Sequence, residues 1–393
     1  MRARFDDCMM LELVFEVIFM LVVGIMGMVG NVVLIATFAR LQKRRLRFHG
    51  LMMALSLFDL IYIISSIYLF TIPGLVGVHT AEGPYFFFVP VVIPVAQICL
   101  TGSVYCTMAI AVERYLTVCK PFFTASKNWS SKRYIVPILV FSLIYNFPKF
   151  FEIRSNVECE CHNGTMTIIE QQCTNVKFDS LVEISYVHLP NHTDTTLEST
   201  TIKAPLPEYQ CNGTYIYGVI LTEMRTNKYY YIIYSVCMNI VFMVLLPFCL
   251  LTALASITLR RLTYYTQNAE SGRRYNQDIN SGNVRQALNQ STAIVCRPVI
   301  YVNQLNEQQI LKANEIMLAR VSLVLSFVFI ICHSIRWIPN VYELIQRIQE
   351  DNEYVDWPYW VEIITHLSHF MTVLNSSVNF YVYYLTRCKK NIS

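Results

Sequence analysis

The stretch "PYFFFVPVVIPVAQICLTGSVYCTMAIAVERYLTVCKPFF", Pro84–Phe123, decides how the rest of the chain is read. From Pro84 to Val112 it carries no charged side chain, and then Glu113 and Arg114 stand side by side. A helix needs about 20 predominantly apolar residues to cross a hydrocarbon core of about 30 Å. This run is long enough to span a bilayer and to end in a charged pair at its edge. The whole chain fits that solvent: of 393 residues, 54% are hydrophobic and 15% charged, against about 25% charged in an ordinary soluble protein. One globular core would not bury so much apolar surface.

Six more segments resemble it. Val17–Ala39 has no charge and Phe48–Ile72 has only Asp59. Tyr134–Phe151 is the weakest, its uncharged part stopping at Lys149. Tyr229–Leu259 is uncharged, Val321–Tyr342 is interrupted only by Arg336, and Ile363–Leu385 is clean. Period-2 alternation is absent, which predicts helices and not barrel strands. The expectation is an all-α membrane protein, a seven-transmembrane helix bundle with helices at about 17–39, 48–73, 84–114, 133–151, 229–259, 317–342 and 359–385.

The basic residues set its orientation. "RLQKRRLR", Arg40–Arg47, holds five Lys or Arg, whereas residues 74–88 hold none, so the positive-inside rule makes the first loop cytoplasmic and the N-terminus external. Most of the 31 Lys and Arg then fall inside and most of the 27 acids outside; the acidic outer face favours a cationic ligand. The predicted parts are a short external N-terminus (1–16), the helix bundle (17–385), a second outer loop (152–228), a third inner loop (260–316) and a short inner tail (386–393). Asp6, Asp7 and Glu12 dilute the basic start, so the first segment is expected to stay as a signal anchor.

The second outer loop carries the sequons of Asn163, Asn191 and Asn212, expected to be glycosylated. It also holds Cys159, Cys161, Cys173 and Cys211, which permit three pairings into two disulfides. The third inner loop is rich in Asn, Gln and Arg, predicting disorder in its middle and helical extensions at its ends.

Polar side chains inside a bilayer are expensive and so are functional candidates. Asn31, Asp59, Ser103, Asn375, Ser376 and Asn379 sit at the same few depths. Together they would form a hydrated cluster around one carboxylate, able to hold a structural sodium ion through Asp59 and neutral oxygens; no other cofactor is implied. Packing through interhelical hydrogen bonds is the plainer role, above all for Asn31.

Six short motifs in register carry a resemblance: "GN" in segment one, "LSLFD" in segment two, "ERY" closing segment three, Pro247, "WIP" at 337–339 and "NFYVY" at 379–383. In this order they resemble the rhodopsin-like G-protein-coupled receptors. "YNFPKFFE", "CHSIRWIPNVYE" and "VLNSSVNFYVYY" are similar to the invertebrate FMRFamide-type branch, with Phe380 replacing the usual proline. The resemblance implies an activation switch of Glu113, Arg114, Tyr115, Trp337, Pro339, Asn379 and Tyr383, in which Glu113 restrains Arg114 at rest. It also implies an amidated, Arg-Phe-ending peptide outside and a heterotrimeric G protein inside, in the plasma membrane. Ala96, where amine receptors carry an aspartate, argues against an amine ligand. Departures are Val89 in place of a stapling cysteine, Arg336 where cysteine is common, Ala255 where a tyrosine often stands, and Ala319 where a carboxylate would lock span six. The last leaves an inter-helix lock doubtful unless Glu315 reaches from farther out.

An Arg-Phe-amide end asks for a carboxylate, an aromatic slot and polar groups for its amide. The outer candidates are Glu343 first, then Glu152, Glu223 and Glu362, with Gln97, Tyr145, Tyr231, Tyr342 and Trp360 around them. His366 and His369 are expected to be structural. No catalytic constellation points to an enzyme and nothing points to nucleic acid; membrane lipid is the remaining partner. An ion channel or transporter is the alternative class, but it would need a continuous polar path or repeats with broken helices.

Overall fold

Segments apolar on nearly every face cannot all be covered by one another, so part of each must meet lipid. The computed structural model describes residues 13–41, 47–76, 83–120, 130–161, 213–264, 267, 298–349 and 358–392. Its polarity is inverted: Val22, Ile25, Met26, Val29 and Val32 of the first span stand exposed, whereas Asn31, Asp59, Ser103 and Asn379 are buried. Six described helices are long and apolar enough to cross a membrane: Val17–Arg40, Arg47–Thr71, Tyr85–Cys119, Lys132–Phe151, Lys228–Tyr264 and Glu315–Gln346. The seventh runs as Tyr359–Ser377 and Asn379–Ile392, broken at Val378. Its Asn, Ser and His content makes it less apolar than the others. These are the seven spans of a transmembrane bundle.

Span three lies at the centre, with Ala96, Leu100, Val104 and Ile110 packed against Leu55, Leu251, Leu325 and Phe329 of its neighbours. Two glycines illustrate the close approaches between spans. A Cβ on Gly102 would enter the Phe58 ring of span two, and one on Gly30 would come within 2.9 Å of Phe380 Cβ in span seven. Small residues at such crossings let helices pack where water supplies no driving force.

Several boundaries differ from expectation. The fourth helix ends at Asn146 and finishes in a tighter turn, Phe147–Phe151, with Pro148 at its start. The sixth begins at Pro298, so the third loop is shortened by a helical extension, and the last helix continues through the tail to Ile392. The large loop also holds an antiparallel hairpin that was not expected, β1 (Ile153–Cys161) paired with β2 (Gly213–Leu221), Ile153 opposite Leu221 and Cys161 opposite Gly213. Its second strand, "GTYIYGVIL", is aromatic and β-branched. Asn163, Asn191, Asn212, Cys173, Cys211, residues 1–12 and the middle of the third loop lie outside the described residues.

Sixth-span geometry departs most. The helix stops at His333, and Ser334, Ile335 and Arg336 are not helical before it restarts at Trp337. Pro339 has no N–H to give Ile335, four residues earlier, and that carbonyl takes the Ile338 N–H at 3.2 Å instead. The shift in phase leaves Trp337, one of the switch residues the resemblance implies, 44% exposed.

Candidate functional site

Two ends of the bundle are described in turn: the ERY end, where Glu113–Tyr115 close span three, and the hairpin end. Adjacent helical residues point apart, so Arg114 reaches its neighbour only by curling its long stem back. It does so: Nε donates to Glu113 Oε2 at 2.6 Å, and Nη2 pairs with the same oxygen. Nη1 crosses to span six and donates to Glu315 Oε2 at 2.7 Å. The Phe48 ring covers the guanidinium at 4.9 Å. Glu113 further accepts from Thr117 Oγ1 at 3.2 Å and lies 3.9 Å from Arg47 Nε. Glu113 and Arg114 are buried, while Glu315 is 37% exposed. An inter-helix lock is therefore present. Ala319 cannot make it, but Glu315, four residues earlier and so about one turn away, does.

In the middle of the bundle the expected polar cluster forms. Asp59 Oδ1 accepts from Ser103 Oγ at 2.6 Å, and Oδ2 accepts from Asn379 Nδ2 at 2.5 Å. Asn31 Nδ2 donates to the Ser376 carbonyl at 3.0 Å, next to the break in span seven. Asn375 is buried at the same level. Asn31 Oδ1 and Ser376 Oγ are buried without hydrogen-bond partners. A carboxylate with neutral oxygens left over is a donor set that suits a small hard cation better than a transition metal; no group of three His, Cys, Asp or Glu able to hold a metal occurs among the described residues. Tyr383 is buried with its ring edge-on to Phe38, 5.1 Å away, and Tyr115 is partly exposed.

Comparison with known proteins agrees with this geometry. Residues 30–187, which include Asn31, Asp59, Ser103 and the ERY triplet, match the family described as 7 transmembrane receptor (rhodopsin family). That stretch of the bundle is similar to a rhodopsin-family receptor domain. The chain is 32% identical over 142 residues to the FMRFamide receptor of Drosophila melanogaster, covering 34% of this chain and 25% of that protein. It is 31% identical over 144 residues to the FMRFamide peptide receptor frpr-18 of Caenorhabditis elegans, covering 34% of this chain and 32% of the relative. The matched stretch thus spans a third or less of these curated relatives.

At the hairpin end of the bundle the outer acids divide. Glu152, a ligand candidate, is buried and already engaged: Tyr230 Oη donates to it at 2.9 Å, Lys149 Nζ lies at 3.6 Å and Arg225 Nε at 3.8 Å. Lys149 also faces the Tyr234 ring at 5.5 Å, and Arg225 lies 4.6 Å over Tyr231. Glu223 is exposed on a short turn. Glu343 and Glu362 are partly exposed on spans six and seven, where Tyr342 packs edge-on to Trp360 at 5.5 Å. A small cleft between spans three, four and five is lined by Gln97, Thr101, Tyr145, Asn146, Lys149 and Tyr234, among others. His369 stacks on Phe70 at 4.4 Å. Sequence reasoning missed Arg47, Phe48, Lys149 and Arg225. Each was counted only as a loop charge, a core ring or the end of an apolar run, and none has a motif of its own.

Proposed function

We propose that the chain is a plasma-membrane receptor for an amidated, Arg-Phe-ending peptide, activating a heterotrimeric G protein when span six moves away from span three. The observation that carries this is the bond from Arg114 to Glu315, joining two spans at the ERY end. Glu113 lies on the same helix as Arg114 and moves with it; Glu315 does not. Displacing span six therefore breaks one of the two restraints and leaves a guanidinium for a partner's carbonyl or carboxylate oxygens. The names of the fly and worm relatives support the peptide class. In this orientation the ERY end is cytoplasmic and the hairpin end extracellular.

Ligand binding drives this only through differential affinity for the two packings. Glu152 is held by two cations; Glu343, which follows Tyr342 on span six, is the acid proposed for the peptide's guanidinium, with Glu362 as a further candidate and Gln97, Tyr145, Tyr231 and Trp360 as the polar and aromatic groups of the site. A sodium ion, where bound, would be held by Asp59 with Ser103 and the spare oxygens of Asn31 and Ser376, supplying charge balance to the resting packing.

The test is nucleotide exchange on co-expressed promiscuous G protein under a panel of amidated peptides. Exchange driven by an Arg-Phe-amide peptide is expected. Glu343→Gln should weaken the response to it far more than to the citrulline analogue. Peptide-independent currents without exchange would sink the proposal.

A further inference from the structure

The cleft between spans three, four and five, at the hairpin end, holds more hydrogen-bonding capacity than it uses. Asn146 closes the α-helical part of span four and is 1% exposed. Its Nδ2 donates to Thr101 Oγ1 and to the Ser142 carbonyl, each at 2.9 Å. Both amide hydrogens are thereby engaged, and Oδ1 accepts from no donor among the described residues. Gln97 of span three and Asn239 of span five line the same cleft, and among the described residues neither side-chain amide makes a hydrogen bond. Ser235, also in the wall, already accepts from Arg225 Nη1 at 2.7 Å.

A buried polar group without a partner is rare and asks for a reason. Three side-chain amides with spare capacity around one cleft match another amide: Asn146 Oδ1 can accept an N–H, while the NH2 groups of Gln97 and Asn239 can donate to a carbonyl oxygen. No acid lines the cleft, so a guanidinium finds no counter-charge there, and the ammonium of Lys149 in its wall already faces Glu152 at 3.6 Å. Its free space, about 250 Å³ with the open mouth included, is below the roughly 300–1,000 Å³ of a pocket for a whole drug-sized ligand. It admits a chain end. We infer that this cleft is the subsite for the terminal primary carboxamide of the bound peptide, read by Asn146, Gln97 and Asn239. A free-acid end would turn an acceptor toward the Asn146 acceptor and is disfavoured. This rests on the peptide-receptor reading above and adds where the amidated end is recognised.

The experiment measures exchange by the full chain, alongside surface level, under Phe-Met-Arg-Phe-amide, the same peptide as its free acid, and its dimethylamide, which has no terminal N–H to give. The parent should respond to the amide at a half-effective concentration at least about tenfold below that of either analogue, the size of a hydrogen bond lost at a buried acceptor. Asn239→Leu and Gln97→Leu remove amides that bond to nothing else among the described residues, so neither costs the fold an internal hydrogen bond. Each should raise the half-effective concentration of the amide about three- to tenfold and that of the free acid by less than about twofold, narrowing the amide preference. Equal shifts for the two peptides would make these residues packing groups and overturn the assignment. Amide shifts within about twofold in both variants, the result of a cleft that holds water only, would overturn it too. A parent that responds equally to all three ends would overturn it while leaving the peptide reading intact, and that arm holds even where a variant reaches the surface poorly. A parent silent to the amide would instead remove the peptide reading, and this inference with it.

Discussion

The two ends of the bundle handle buried charge in opposite ways. At the ERY end two acids, Glu113 and Glu315, hold Arg114, with Arg47 at the edge, so each charge has an opposite beside it. At the hairpin end the buried acid Glu152 serves Lys149 and Arg225, and Arg336 has no acid among the described residues. A balanced cluster stabilises one packing and changes when a helix moves; an unbalanced one is completed by something that arrives. Under the proposed function, the first region is the one that switches and the second the one that receives.

The largest expected effect breaks the balance at the hairpin end. Glu152→Ala leaves Lys149 and Arg225 without their carboxylate and should destabilise the protein by about 3 kcal/mol, read as lower surface level and thermal midpoint in detergent. Adding Lys149→Met should recover part of that loss; no recovery would show that Glu152 acts through Tyr230 alone. A smaller effect sharpens the switch. Glu315→Gln should raise basal exchange by up to about fivefold, since a partly exposed ion pair is worth at most about 1 kcal/mol. Unchanged basal exchange would show that Glu113 alone restrains Arg114. The smallest lies between the two regions: Asn31→Ala removes one interhelical bond to Ser376 and should cost about 0.6–1 kcal/mol in thermal stability, read as the thermal midpoint in detergent.

Much of this was legible in the sequence because membrane solvation is strict. Uninterrupted apolar length gave the spans, and the rarity of polar groups in them brought Asp59, Ser103 and Asn379 to one depth before any contact was known. The hairpin-end charge pairing was hidden for a physical reason: Lys149 stands only three residues before Glu152, but Arg225 reaches that carboxylate across a long connecting loop, and no local pattern encodes that closure. The phase of span six was hidden too. The break at Ser334–Arg336 leaves Arg336 partly buried and Trp337 exposed, a phase no local motif announces. The lock itself escaped a position-by-position match because its acid sits one turn from the expected place.

The interruption at Ser334–Arg336 also divides span six into a short arm and a long one. From His333 back to Glu315 the long arm measures roughly 27 Å at about 1.5 Å per residue. Pivoting there by about 10°, a modest hinge rotation, would sweep its far end through nearly 5 Å. The Arg114–Glu315 contact, 2.7 Å long, would not survive such a stroke. Leverage of this kind lets a ligand pressing gently on residues beside the fulcrum produce a coarse, all-or-none displacement at the opposite membrane surface.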